Sequence, residues 1–267
     1  MILPGGLIKN GRRYRNFELK KPGGEIELAL YDAMNSAPNH PLWVSESLLA
    51  VLESLADVKP SLEDVQSLCL ADRQAIAIAW WLETGQTTQW RSIECCHCLQ
   101  PFDIAIPIDQ LPQTEAASQF PFCYAQVGEQ RIQLRAPNGF DLEALGEITD
   151  AAQARAMLAK RLILDANYSE LLNYDCISAI EQAIEVMVPE IATELQTTCP
   201  ECGNENIISF DPYQWLHADI DELLDEVHII AQNYHWKEKD ILKLPTPRRH
   251  QYLKRIQGET VLTRELL

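Results

Sequence analysis

Cys95-Cys96-His97-Cys98 and Cys199-Pro200-Glu201-Cys202-Gly203 are two Cys-x-x-Cys pairs about a hundred residues apart, each followed by a short β-like run. Together they read as the two halves of one metal site. A tetrahedral zinc takes four thiolates, or thiolates with imidazole, at about 2.3 Å. One Cys-x-x-Cys turn offers two sulfurs to the same ion, so two such turns close the shell. Gly203 stands where a knuckle's backbone often turns to positive φ, and Pro200 stiffens the same turn. Strand-like segments follow at 102–108 and 206–210, and Ile191, Thr193, Leu195 and Thr197 alternate at period two ahead of the second knuckle. That is the layout of a zinc ribbon.

In the first knuckle Cys95, Cys96, His97 and Cys98 are all candidate ligands, and Cys95 with Cys98 has the two-residue spacing. The expected set is therefore Cys95, Cys98, Cys199 and Cys202 around one structural Zn2+ per chain. Rival readings are a redox pair, a disulfide, or a site that has lost its metal. A redox Cys-x-x-Cys opens a helix after a buried strand, whereas both pairs here lie in polar turns. Cys69, Cys123 and Cys176 stand alone among apolar residues and read as small buried hydrophobes.

A chain of 267 residues has room for two or three compact units. No secretory-type N-terminus is visible, and the longest apolar run, at 75–82, reads as a buried helix rather than a membrane span. The expectation is a soluble cytoplasmic protein. The formal net charge of −17 speaks against a polyphosphate as main partner, because binding one requires many neutralising Lys and Arg. Charge is uneven, however: residues 237–255 hold seven Lys and Arg against two acids. A solvated helix face and a dock for an acidic partner are the two readings of that cluster.

The fold expected from these patterns is α+β: a helical N-terminal unit, a central four-cysteine zinc ribbon interrupted by an α/β insertion, and a helical C-terminal module. Residues 1–25 read as a basic arm or hairpin, with Arg12, Arg13 and Arg15 among glycines. Residues 26–90 read as helical. There Ser45 is the expected cap of a helix carrying Leu48, Leu49, Leu52 and Leu55, Ser61 and Asp64 resemble a capping box, and Asp72 starts a helix that runs toward Trp90. Residues 91–212 form the ribbon, with the insertion at about 111–190. In it 131–135 is a strand, Asp141 caps the next helix, and Asp150 and Ser178 stand near the starts of two more. Residues 213–267 form the last module, where Leu216, Ile220, Leu223, Val227 and Ile230 recur at helical spacing.

No phosphate loop, His-Glu-x-x-His helix or nucleophile elbow occurs in the chain. A four-cysteine shell leaves no open position for substrate, which points away from an enzyme. His228 and His235 lack a partner ligand at matching spacing and read as polar tips of a packed helix. The mixture of aromatic, apolar and basic residues at Tyr234, Trp236, Leu244, Arg248, Arg249 and Tyr252 is what interface centres favour, so these are the candidate partner-binding residues.

The tail carries a further pattern: 225–236 (Asp-Glu-Val-His-Ile-Ile-Ala-Gln-Asn-Tyr-His-Trp), then 241–245 (Ile-Leu-Lys-Leu-Pro), then 248–253 (Arg-Arg-His-Gln-Tyr-Leu). It resembles the C-terminal signature of the T4-type bacteriophage baseplate protein family, found in contractile phage tails and phage-tail-like contractile injection systems. The likeness extends upstream to Asp72-Arg73, the Cys95/Cys98 knuckle, Arg135-Ala136-Pro137, Asp141-Leu142 and the Cys199/Cys202 knuckle. Cys96 and the glutamine-rich segment 110–119 depart from it. The resemblance implies a non-enzymatic baseplate or hub component, or an assembly factor, working beside hub, spike, tube or wedge proteins, with no small-molecule substrate. The competing reading from the residues alone is a zinc-ribbon nucleic-acid-binding regulator.

Overall fold

In the computed structural model, which describes residues 1–165 and 173–264, the chain opens with a hairpin of β1 (Ile2–Lys9) and β2 (Arg12–Leu19). Asn10 and Gly11 both take positive φ between them, the conformation a two-residue hairpin turn demands. The pairing register breaks between Ile2 and Leu7. There, Arg13 donates to the carbonyls of Gly5 and Pro4, and Arg15 donates to that of Leu3 at 2.6 Å. Two of the three arginines of the expected basic arm are therefore spent on the strand beside them, because a bulged strand leaves carbonyls that need donors.

Helices α1 (Gly24–Ser36) and α2 (His40–Val51) follow, and β3 (Leu52–Leu55) then pairs antiparallel with the free edge of β2. Two expectations are corrected here. Asn39, not Ser45, caps α2, accepting from the Leu42 amide at 3.0 Å with Pro41 in the first turn. Ser45 lies inside the helix, fully buried, and donates to Glu143 at 2.7 Å. Leu52 and Leu55 are strand residues, and their three-residue spacing places both against the core because β2 pairs through a register shift at this point. Ser61 and Asp64 do form the expected capping box, at the start of α3 (Leu62–Gln66). Helix α4 (Leu70–Glu83) starts two residues before Asp72, and Trp90 lies beyond it on a strand, exposed.

Beyond α4 come two hairpins far apart in sequence: β4 (Thr88–Glu94) with β5 (Pro101–Pro107), and β8 (Glu194–Thr198) with β9 (Glu205–Ser209). Their apolar faces meet around Ile104, Ile106, Ile208, Phe210 and Trp215. Between them lie β6 (Phe122–Val127), β7 (Gln130–Arg135), α5 (Gly139–Leu145), α6 (Ala151–Leu162) and α7 (Tyr174–Met187), with their own core around Ile132, Leu134, Leu162, Ile180 and Met187. Part of the expected insertion, 166–172, lies outside the described residues. The strands that leave and re-enter the paired hairpins run side by side, with Thr114 donating to Glu190 and Ala192 to Pro112, each at 2.8 Å. The glutamine-rich 110–119 segment also reaches the first hairpin, through Arg15 and Glu115 at 3.2 Å.

Asn173 caps α7, so Ser178 falls one turn inside that helix. Asp150 caps α6 as expected. Asp141 is not the cap of α5 but stands in its first turn, where its fully buried carboxylate accepts from the Asn138 amide at 3.0 Å, from Arg135 at 2.6 and 2.8 Å, and from Arg161 at 2.9 Å. The last module holds α8 (Ile220–Tyr234), α9 (Glu238–Leu242) and α10 (Thr246–Arg264), around Leu223, Val227, Ile230, Ile241, Leu242 and Ile256. Residues 265–267 of that expected module lie outside the described residues. Leu216, expected on its apolar stripe, sits instead in a short 3-10 turn, Pro212–Leu216, and packs into the N-terminal core with Tyr213.

Burial raises the Asp141 pKa, but the arginines and the Asn138 amide outweigh it and hold the carboxyl below its ordinary value. A depressed folded pKa contributes stability that is present above the unfolded value, near 3.9, and is lost as pH falls through the folded one. Asp141→Asn should therefore cost about 2 kcal/mol at neutral pH, less than the roughly 3–5 kcal/mol of a fully buried pair because both arginines reach solvent. Urea unfolding as a function of pH should show the difference from the parent protein shrinking below about pH 4.

Candidate metal centre

Both Cys-x-x-Cys segments fold into the same turn. In the first, the Cys95 amide donates to Gln100 O at 3.1 Å and the Leu99 amide returns to Cys95 O at 3.0 Å; in the second, Cys199 donates to Asn204 O at 2.9 Å and Gly203 to Cys199 O at 3.0 Å. The fifth residue of each turn takes positive φ, 60° at Leu99 and 72° at Gly203. Glycine adopts that conformation freely, and an L side chain at a cost of about 1–2 kcal/mol. Leu99 bears it with a side chain left 63% exposed, so it is the turn and not packing that sets its conformation.

Pairing of the hairpin faces brings the two turns together. The sulfurs of Cys95, Cys98, Cys199 and Cys202 all lie within 4.8 Å of one another. Cys95 and Cys202 are 3.7 Å apart, and Cys98 and Cys199 are 3.8 Å apart. A regular tetrahedron of sulfurs around an ion at about 2.3 Å has edges of about 3.8 Å, so both cross-turn distances fit a four-sulfur shell that could hold a metal ion. They are far from the roughly 2.05 Å of a disulfide, and all eight cysteines are free. Cys95 and Cys199 are buried, and Cys202 is exposed at the rim.

The chemistry of the cluster also calls for a cation. The backbone amide of Cys98 favours the Cys95 thiolate, and with help from His97 and Asn206 it lowers the Cys95 pKa to about 6 against the burial cost. At Cys98 the Gln100 amide acts the same way, but burial and the sulfurs of Cys202, Cys95 and Cys199 prevail and push the pKa up to about 12. The thiolate is thus favoured at Cys95 and Cys202 and opposed at Cys98, and thiolates at this spacing repel one another. A divalent ion removes that repulsion.

Asn206 on β9 is the residue that sequence reasoning missed. It is 5% exposed, accepts from the Cys96 amide at 2.9 Å, and turns its amide nitrogen toward Cys95 Sγ at 3.6 Å and Asn204 O at 3.1 Å. It locks one turn to the other's hairpin. The only signal in the sequence was a polar residue at an inward position of an alternating strand. Cys96 is exposed with its sulfur outside the cluster, and His97 meets Cys95 through its amide only, at 3.4 Å. Among the described residues no second group of His, Cys, Asp and Glu converges in this way; His235 instead ends α8 in left-handed conformation.

The other candidate residues divide. Tyr234, Trp236 and Tyr252 come together, with ring centroids 5.0 to 5.5 Å apart, and Trp236 stays 38% exposed. Arg248 is exposed and Leu244 half-buried. Arg249 does not share the surface with Arg248: it is 1% exposed, donates to Glu226, and reaches Glu27 of α1 at 2.7 Å. One step along a helix rotates a side chain by about 100°, which separates the two neighbours completely.

Comparison with protein-family models, with curated proteins and with solved structures finds no match for this chain. No helix among the described residues is long and apolar enough to cross a membrane.

Asn206→Leu removes both bonds to the first turn while keeping the branching and the number of heavy atoms of the side chain. It should lower stability by about 2 kcal/mol and weaken metal retention about tenfold or more, as loss of a supporting bond behind a ligand does. Competition with a chromogenic chelator measures the second effect, and retention equal to that of the parent protein would remove Asn206 from the site.

Proposed function

We propose that this chain is a non-enzymatic building or assembly protein of a contractile phage tail or related injection system, acting by docking other tail proteins, with one structural zinc held by Cys95, Cys98, Cys199 and Cys202. The observation that carries the metal half is the pair of cross-turn sulfur distances, 3.7 and 3.8 Å, inside a cluster within 4.8 Å. When bound, the ion supplies charge neutralisation and a fixed four-way crosslink, not a reactive position, since four thiolates fill a tetrahedral shell.

On this reading the two hairpins form a zinc ribbon, the segment between them is an insertion, and the ion closes the long loop that contains it. The tail half rests on the ordered motifs from Asp72-Arg73 to 248–253. It is supported by the exposed Trp236 beside unpaired cations on the last module, a mixture suited to protein contact. The partners in view are hub, spike, tube or wedge components, and the protein works in the cytoplasm, free or within a tail-like particle. The net charge of −17 weighs against the nucleic-acid reading.

Metal analysis of the purified protein should find about one zinc per chain. Cys199→Ser should abolish tight binding and lower stability by several kcal/mol, because forming the site is coupled to folding. Metal-free protein whose melting is indifferent to chelator would defeat the zinc assignment. Co-expression with hub, spike, tube and wedge proteins of a contractile tail should yield a stable complex with at least one of them; failure to form any would defeat the tail assignment and leave the metal result standing.

A further inference from the structure

The last module carries its cations in two different ways. Arg249 is internal, clamped between Glu226 of α8 and Glu27 of α1. The others, Lys237, Lys239, Lys243, Arg248, Lys254 and Arg255, are exposed, and none has a carboxylate partner among the described residues. In a chain with 39 acids against 22 bases, cations left unpaired and gathered on one module are opposed to the charge of the rest.

Helical spacing puts two of these cations beside the ring cluster. Arg248 is four residues before Tyr252 and Arg255 three after, so both lie on the Tyr252 side of α10, one turn to either end. Tyr252 meets Trp236 edge-on, with centroids 5.0 Å apart at 80°, and Lys237 follows Trp236 directly. A partly exposed indole, held in place by two tyrosines, therefore sits in the middle of a cationic rim. Such an anchor is already ordered before binding, which removes much of the entropic cost of using it.

We infer that this face, Trp236 with Lys237, Arg248, Tyr252 and Arg255, docks an acidic segment of a partner protein, whose carboxylates meet the rim while an aliphatic side chain packs on the rings. The inference rests on the docking reading above and names its partner chemistry. A nucleic acid is the poorer fit on two grounds. The whole-chain charge of −17 opposes an extended polyanion, whereas a short acidic segment engages only the local rim. Tyr234 already stacks on Trp236 at 5.3 Å and 30°, taking up a ring face that a base would need.

The test uses the full zinc-loaded chain and a labelled 20-residue peptide of glutamates with leucine at every third or fourth position. A glutamine-for-glutamate version and a single-stranded 20-mer oligonucleotide serve as competitors, and binding is read by fluorescence anisotropy at 50 and 200 mM salt. The acidic peptide should bind at least tenfold tighter than the glutamine peptide and weaken several-fold at the higher salt. Arg248→Glu with Arg255→Glu should cost at least tenfold, and Arg248→Lys with Arg255→Lys much less. Trp236→Ala should cost about fivefold or more at both salts, with melting of the variants checked against the parent. Equal binding of the two peptides, tighter binding of the oligonucleotide, a salt-dependent self-association that excludes the peptide, or indifference to the double charge reversal would each overturn the assignment. A double reversal that still forms the co-expressed tail complex would overturn this face alone; an intact chain that forms none tests the docking reading itself.

Discussion

Helix α4 buries three of its sides, and the remainder of the fold is arranged around that constraint. Ile76, Ala77 and Trp80 face the N-terminal core, Ala71 with Ala75 and Ile78 the core of the middle segment, and Trp81 and Leu82 the space between the hairpins. A helix covered this way takes some of its polar residues out of water, and those must find partners inside. Asp72 and Arg73 are both wholly buried. Asp72 accepts from the amides of Gly5 and Gly6 at 2.6 and 2.8 Å and from the Cys69 thiol at 3.1 Å, drawing β1 onto the helix. Arg73 faces the other way, to the carbonyls of Val65 and Pro41 and to Ser45 Oγ, drawing α2 and α3 in. A Cβ at Gly5 would stand 2.6 Å from Asp72 Oδ2, so the backbone approaches this closely only because position 5 has no side chain.

The cysteine cluster is downstream of that arrangement. Trp81 of α4 stacks on Trp215 at 5.2 Å, and Trp215 packs with Phe210 beneath the hairpins, so the helix that organises the N-terminal unit also supports the platform on which the knuckles meet. Tyr213 and Leu216, in the same short turn as Trp215, are buried in the N-terminal core. One turn of chain therefore spans two cores, and the segment after the second knuckle is anchored on both sides. The four sulfurs gather on this platform, two from each turn.

What the sequence revealed and what it hid follow the range of the interactions concerned. The knuckle cysteines were legible because their spacing encodes a local turn, and the capping box at Ser61 and Asp64 because it closes within four residues. The end of α2 was not: Leu48, Leu49, Leu52 and Leu55 carry helical spacing, yet the last two pair with β2, a contact more than thirty residues distant that periodicity cannot report. Pro41 behind Asn39 was the better start signal, and it was local. Asn206 was invisible for the same reason as Arg249. Each is a polar residue whose partners lie on other elements, Cys95 and Cys96 for one, Glu27 and Glu226 for the other. Residues 1–25 read as a basic arm or hairpin, and a hairpin forms; what Arg13 and Arg15 bind is revealed only by the register break in β1.

Arg248 and Arg249 mark the two faces of the last helix, one exposed and one buried. Composition treats them as one basic pair, but the helix sends one inward and the other out. The inward one is costly to bury and is compensated twice, by Glu226 and Glu27, which raises its pKa against the desolvation that would lower it. Since Glu27 belongs to α1 and Glu226 to α8, that ion cluster fixes the module's orientation on the N-terminal unit. Thr246 adds a bond to Glu27 at 2.6 Å at the start of α10. Gly23 pairs with Pro245 just ahead of it. The outward face of α10 is thus presented at a set angle to the body by interactions made on its inner face. A surface so fixed has little freedom left to lose, and Arg248, Lys254 and Arg255 stand exposed on it.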